Sequence, residues 1–307
     1  MTLQQLKYIV ALDRHRSFAR AADECGITQP TLSGMVAKLE EELGVRLFDR
    51  SARQVTPTSL GVRIVRQASV TLAEAERVRQ LVDEERGAVD GRVHLAVGPS
   101  IAPYILPQFI ERYLRDYPHV TLTVEESRVE PMIDSIVTGK TDIGIAIAGN
   151  AREGVREIPL YTEHFYVYLS ESCRRRLPVF HPSELSHENM WVMKEAQCLR
   201  ESAFSFCKAR EAGQRVYEAG NMETLIRVVD RCGGYTIIPR MHLPLLTERQ
   251  KANVRPIKGD YLSQRRVSVY VAADFVREAV LESVIDTLRG FIPAEMMSEQ
   301  SDKKSEL

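Results

Sequence analysis

With 307 residues, 44% hydrophobic and 27% charged, the chain has an ordinary soluble composition and length for two or three domains with ample core. A formal net charge of −1 excludes binding of nucleic acid through overall charge, so any such contact needs a local patch. No apolar run approaches the roughly 18 residues of a membrane span, and the first residues lack a cleavable signal pattern, so a cytoplasmic protein with no membrane contact is expected.

The N-terminal sixty residues read as short helices. Leu3, Leu6, Tyr8, Ile9 and Leu12 recur at helical spacing. Ser17 is placed to N-cap a second helix over Phe18, Ala21 and Ala22, and Gly26 breaks the chain after it. Thr28 then N-caps a third helix with Pro30 in its first turn and Leu32, Val36, Leu39 and Leu43 on its apolar side. Two short helices joined by a Gly-containing turn form a helix-turn-helix, whose second helix enters the major groove of DNA. Thr28, Gln29, Pro30, Thr31, Ser33 and Gly34 are small or hydrogen-bonding, as a groove-facing helix end requires.

After Gly44, residues 45–56 read as two short strands, a wing, in which Arg46, Arg50 and Arg53 suit phosphates or a minor groove. Charge adds little, since residues 1–60 hold eight Lys/Arg against seven Asp/Glu. A small helical packing domain is the plain alternative, and spacing and caps carry the reading against it. The run from Phe18 to Asp23, Thr28-Gln-Pro-Thr-Leu-Ser-Gly34, Leu39 to Arg50 and Thr56-Pro-Thr58 resembles the winged helix-turn-helix of LysR-type transcriptional regulators. That resemblance implies an operator of double-stranded DNA, a homodimer or homotetramer, and RNA polymerase as a partner. It implies recognition contacts from Gln29, Pro30, Thr31 and Ser33, and backbone contacts from Lys38, Arg50 and Arg53.

From Thr58 to about Arg86 there is no Pro and a single Gly, Gly61. Val65, Ala68, Leu72, Ala75, Val78 and Val82 recur at three- and four-residue steps, giving an amphipathic helix with a seam for a partner helix. The alternative is a helix lying on its own domain. Gly87 and Gly91 mark a hinge.

Beyond Arg92 the pattern alternates. Val93–Val97, Val120–Val124, Ile143–Ile147, Phe165–Leu169, Met190–Met193, Tyr235–Ile238 and Val267–Val271 read as strands, with helices over 106–117, 132–137 and 276–291. This predicts an α/β domain with a mostly parallel sheet. Ligands of such sheets sit beyond the strand C-termini, where Ser100 and Ser127 fall, although a cap or turn explains a serine there equally well. The family resemblance implies a periplasmic-binding-protein-like effector domain of two α/β subdomains. The expected division is 1–58 for the winged helix-turn-helix, 59–90 for the dimerising linker helix and hinge, 91–297 for the regulatory domain and 298–307 for a polar tail. Within the regulatory domain, one subdomain spans about 91–161 and 267–297, the other about 162–266.

The five cysteines, Cys25, Cys173, Cys198, Cys207 and Cys232, are odd in number and scattered, which excludes a secretory disulfide framework. There is no CxxC pair and no Cys/His cluster at zinc spacing, so no metal or cofactor is expected. Cys25 and Cys232 read as core residues and Cys173 as a surface-loop residue. Cys198 and Cys207 are nine positions apart in a run without Pro or Gly that reads as helix. Nine steps of about 100° and about 1.5 Å put the thiols on opposite faces, roughly 13 Å apart. A disulfide needs Cα atoms about 4.4–6.8 Å apart, so bonding requires that helix to come apart. Two cysteines on a helix are ordinarily packing residues.

Gln197-Cys-Leu-Arg-Glu201 and Phe206-Cys207 resemble the redox segment of the peroxide-sensing OxyR branch of the LysR family, and Ala102–Pro107 and Gly234–Pro239 agree with it. The resemblance covers about residues 1–290. It implies that hydrogen peroxide oxidises Cys198 to a sulfenic acid, that Cys207 resolves it to a disulfide, and that a cellular thiol reductant resets the pair. Arg200 near Cys198 would favour the thiolate, and Ser100 or Arg266 would stabilise the departing hydroxide. Gln197, Val129 and Ser100 depart from the branch pattern, which usually has His, Thr and Thr there. The chain is therefore read as a peroxide-responsive regulator and not an enzyme. The alternatives are a LysR-type regulator sensing a small metabolite in the cleft, and a thiol peroxidase, which the helix-turn-helix argues against.

Overall fold

The computed structural model describes residues 1–50, 54–85, 89–176, 190–193, 214–217, 222–257 and 264–298. The expected helix between Cys198 and Cys207, Gly87 of the hinge and the tail beyond Ser298 lie outside the described residues.

Helix α1 spans Leu3–His15, α2 Phe18–Glu24 and α3 Gln29–Leu43. Local chemistry sets each start: Thr2 and Gln5 form a capping box, the Ser17 hydroxyl accepts from Arg20 N–H, and that of Thr28 accepts from Thr31 N–H. Gly26 and Gly44 provide the left-handed residues after α2 and α3, at φ +66° and +67°. Strands β1 (Phe48–Asp49) and β2 (Thr56–Pro57) pair antiparallel as the wing. One core of Leu6, Ile9, Leu12, Leu32, Leu39 and Phe48 joins these elements.

Helix α4, Ser59–Glu84, leaves this core and does not form a single seam. Val65 and Ala68 are buried in the N-terminal core and Leu72 packs against it, whereas Val78, Leu81 and Val82 are exposed. The first half of the helix thus lies on its own domain. The second half meets the regulatory domain through an Arg77–Asp274 ion pair and, at Ala73, by close packing against Gly139.

The regulatory domain contains β3 (Gly91–Val97), α5 (Ala102–Asp116), β4 (Val120–Glu126), α6 (Val129–Val137), β5 (Ile143–Ile147), β6 (Val155–Leu169), α7 (Glu171–Arg176), β7 (Met190–Met193) and β8 (Gln214–Tyr217). It continues with α8 (Met222–Cys232), β9 (Tyr235–Pro239), a 3-10 segment (Arg240–Leu245), α9 (Glu248–Lys251), β10 (Val254–Pro256), β11 (Gln264–Ala272), α10 (Glu278–Arg289) and α11 (Ala294–Ser298). The sheet order is β4-β3-β5-β11-β6-β9-β7-β8, with β10 also on β6.

The sheet is mixed, which corrects the expectation of a mostly parallel one. Pairing is parallel in β4-β3-β5 and β9-β7-β8, but β11 runs antiparallel to β5 and β6, and β6 antiparallel to β9 and β10. The reason is the 15-residue strand β6, whose first half pairs with β11 and whose second half pairs with β9. One long strand leads out to the second lobe and β11 leads back, so the two run in opposite directions. A core of Val93, Leu95, Ile105, Phe109, Val269 and Val284 fills one lobe, and Tyr168, Ile226, Val229 and Ile238 fill the other.

Cys25 is the α2 C-cap residue and packs partly against the N-terminal core, as expected; burial raises its thiol pKa. The two other described cysteines reverse their readings. Cys173 is buried within α7, and Cys232 is exposed at the end of α8, because the apolar face of α8 is carried by Leu225, Ile226 and Val229.

Candidate functional site

Two regions bring predicted residues together. The first is the start of α3. Gln29, Pro30, Thr31, Gly34 and Lys38 are exposed along one side and Ser33 is half-buried, while Leu32, Val36 and Leu39 are buried opposite them. Thr28 caps the helix, and its hydroxyl oxygen lies 2.8 Å from that of Thr31. A Cβ added at Gly34 would meet nothing within 4 Å, so this face is open for a partner to approach closely.

The wing is fastened to α3 by Glu40, which the sequence reading missed. One carboxylate oxygen of Glu40 accepts from Leu47 N–H (2.7 Å) and Phe48 N–H (3.1 Å), and the other from Arg50 at 3.0 Å. Arg50 also lies over the Phe18 ring, 5.0 Å from its centroid. Arg50 thus stands at the wing base, paired with Glu40 and exposed to solvent. Arg53 lies outside the described residues.

The second region lies at the strand ends of the regulatory domain. Gly98-Pro-Ser100 joins β3 to α5, and Ser127-Arg128 joins β4 to α6. Neither α5 nor α6 has a side-chain N-cap; at α5 the Ala102 and Tyr104 N–H groups donate to Gly98 O and Ile101 O, and Pro103 carries none. Val129 opens α6 and packs against the core beneath it. Ser127 N–H donates to Val97 O, and its hydroxyl to Arg128 O.

Ser100 does not cap α5. Its hydroxyl oxygen accepts from Arg265 Nη1 at 3.1 Å, and its carbonyl from Arg265 Nη2 at 3.0 Å. The arginine beside the predicted serine is therefore Arg265. Arg266 is exposed, whereas Arg265 is buried on the side of β11 that carries Val267, Val269 and Val271. Arg265 is buried and bonds Glu163, a fully buried carboxylate on β6, at 2.7 Å. Burial alone would lower the guanidinium pKa, but Glu163 together with Tyr161 and Tyr104 raises it on balance and Arg265 stays charged.

Around this pair lie buried aromatic and imidazole groups. Tyr104 OH is 3.1 Å from His242 Nδ1, and the rings meet edge to face at 5.5 Å. Burial pulls the His242 pKa down to about 4, against a weaker upward pull from Glu223, so the imidazole is neutral at pH 7. Tyr104 and Tyr161 are held protonated by burial. Cys198, Cys207, Arg200 and Gln197 lie outside the described residues. Among the described residues no cluster of His, Cys, Asp or Glu suits a metal ion, and no helix is long and apolar enough to cross a membrane.

The sequence profile of the bacterial regulatory helix-turn-helix protein, lysR family, matches residues 3–62, and that of the LysR substrate binding domain matches residues 86–292. A protein named hydrogen peroxide-inducible genes activator from Dickeya chrysanthemi is 33% identical over 80% of this chain and 81% of its own. The DNA-binding transcriptional dual regulator OxyR of Escherichia coli K12 is 31% identical over 83% of each chain. Among solved structures, a full-length OxyR variant from Pseudomonas aeruginosa superposes with a TM-score of 0.77 at 28% identity, covering 94% of this chain and 95% of the other. OxyR from Porphyromonas gingivalis gives 0.62 at 29% identity, covering 67% of this chain and 94% of the other.

Proposed function

Since the chain belongs to the LysR family of bacterial transcription regulators, in its OxyR branch, we propose that hydrogen peroxide sets its activity through a reversible Cys198–Cys207 disulfide. The observation that carries this is the 31–33% identity, over about four-fifths of the chain, to proteins named for peroxide-inducible activation. The chain is a DNA-binding regulator and not an enzyme. In the proposed reaction the Cys198 thiolate attacks one peroxide oxygen, the O–O bond breaks, and hydroxide leaves with the electron pair to be protonated to water. The Cys207 thiol then attacks the sulfenic sulfur, forming the disulfide and releasing a second water. A cellular dithiol reverses this, becoming a disulfide itself. Arg200 would hold the thiolate, while Ser100 and Arg265 would donate to the departing oxygen.

The active form is a cytoplasmic homodimer or homotetramer, with Val78, Leu81 and Val82 of α4 as the exposed apolar stripe for a partner helix. Gln29, Pro30, Thr31 and Ser33 read bases of the operator, and Lys38, Arg50 and Arg53 hold its backbone. Crosslinking across the 198–207 segment changes how paired regulatory domains pack and so repositions the DNA-binding domains and their contact with RNA polymerase. Transcripts measured after a peroxide pulse in cells carrying the wild-type or the Cys198→Ser allele test this. A peroxide-responsive set dependent on the wild-type allele and lost in Cys198→Ser is expected, and an unchanged response with Cys198→Ser contradicts the proposal.

A further inference from the structure

Of the acids Glu40, Glu41 and Glu42 near the end of α3, Glu40 alone turns inward: its side chain is 12% exposed, while the other two residues are exposed. Its Oε1 accepts from Leu47 N–H and Phe48 N–H, where the wing begins, and its Oε2 accepts from Arg50 Nη2 at 3.0 Å. The Arg50 guanidinium also lies over the ring of Phe18, the first residue of α2. In a docked helix-turn-helix the first helix crosses the DNA backbone while the second enters the groove. Glu40 and Phe18 therefore hold the guanidinium beside the start of the backbone-crossing helix. Arg50 is still 40% exposed, and a guanidinium with five N–H donors has others to offer once Nη2 is engaged.

We propose that Glu40 is a positioning residue for DNA binding: an acid that raises affinity for a polyanion, because it holds Arg50 ready for a backbone phosphate. This rests on the reading of Arg50 as a backbone contact. Charge alone predicts the opposite sign. A carboxylate one guanidinium away from a phosphate, about 7 Å, repels it, so its removal should tighten binding, by less than about twofold once salt screens the pair. Ordering a loose arginine on binding costs more, about threefold to tenfold in affinity, and a side chain already held in place avoids that loss. Positioning therefore outweighs repulsion. Glu40→Gln separates the two duties of the carboxylate. The amide oxygen replaces Oε1 and still accepts from Leu47 and Phe48, whereas the amide NH2 replaces Oε2 and cannot accept from Arg50. The wing stays fastened and Arg50 is released.

The test measures binding of the full chain to a fluorescent, mixed-sequence DNA duplex by anisotropy, at roughly 50 to 200 mM salt. It compares wild type, Glu40→Gln, Arg50→Ala, the two combined, and Arg50→Lys. Glu40→Gln should bind about threefold to tenfold more weakly although it has lost a negative charge. Arg50→Ala should weaken binding and flatten the fall of log K with log salt by about 0.9 for each protomer bound. In that background Glu40→Gln should weaken binding no further, because no guanidinium remains to be held. Arg50→Lys keeps the charge and leaves Glu40 in place, but lacks the fork that reaches a carboxylate and a phosphate together, so it too should bind about threefold or more weakly. Glu40→Gln that binds as tightly as wild type, or more tightly, overturns the positioning role. Equal losses with and without Arg50 also overturn it, by showing a structural effect. Should Glu40→Gln not fold by circular dichroism, wild-type affinity in Arg50→Lys overturns it instead. Arg50→Ala with wild-type affinity and salt dependence overturns the backbone contact itself.

Discussion

At the scale of single residues, parity decides which side chains meet. On β11, Val267, Val269 and Val271 face one core and Tyr270 and Ala272 the other; the same count puts Arg265 with the first set, while Arg266 is exposed. That alternation was present in the sequence. Glu163 was legible in the same way, as a carboxylate in the inward register of an apolar strand, which must have a buried partner. His242 was not legible, because it falls in a 3-10 segment with no periodicity to assign its face. Its burial next to Tyr104 has a thermodynamic consequence. The folded pKa is about 4 against 6.5 for the free side chain, so between these values the unfolded chain binds more protons. Stability therefore rises with pH through that window and is lost as pH falls from about 6.5 towards 4, by at most about 3 kcal/mol. Urea unfolding at pH 7 and pH 5 checks this. The difference should shrink in His242→Gln, which does not titrate there; an unchanged difference would assign the loss to other groups.

At the scale of elements, the helix-turn-helix was the most legible part of the chain. Its helices start at side chains that make their own caps, and Gly26 and Gly44 follow them in left-handed geometry. Long-range pairing was the least legible. Only Phe165–Leu169 of β6 stands out as apolar, while Arg156, Glu157 and Pro159 disguise the first half of a strand that continues through them. The docking of α4 shows the same limit. Thr58 Oγ1 accepts from Gly61 N–H at 2.9 Å and donates to Arg46 O, setting the helix onto the chain before the wing. A Cβ at Gly61 would overlap the carbonyl oxygen of Leu47. Alanine improves an exposed helix by roughly 1 kcal/mol over glycine, but here overpacking against backbone outweighs it. Gly61→Ala should destabilise the N-terminal domain by about 1–3 kcal/mol in chemical unfolding. Equal or greater stability would show that α4 is not seated on the wing as described.

At the scale of the whole molecule, the arrangement places a DNA-reading face, a helix with an exposed apolar stripe and a two-lobed domain in one chain. The first half of α4 is part of the DNA-binding core, and its second half bonds the regulatory domain through Arg77 and Asp274. The two-lobed sheet also explains the mixed strand directions, since a chain that visits the second lobe must cross out and back. In the proposed switch, peroxide joins Cys198 to Cys207. Peptide mass spectrometry without reductant, on reduced protein given near-stoichiometric hydrogen peroxide, tests it most directly. A rapid Cys198–Cys207 crosslink, absent in Cys198→Ser, is the predicted result; both thiols recovered intact would contradict it.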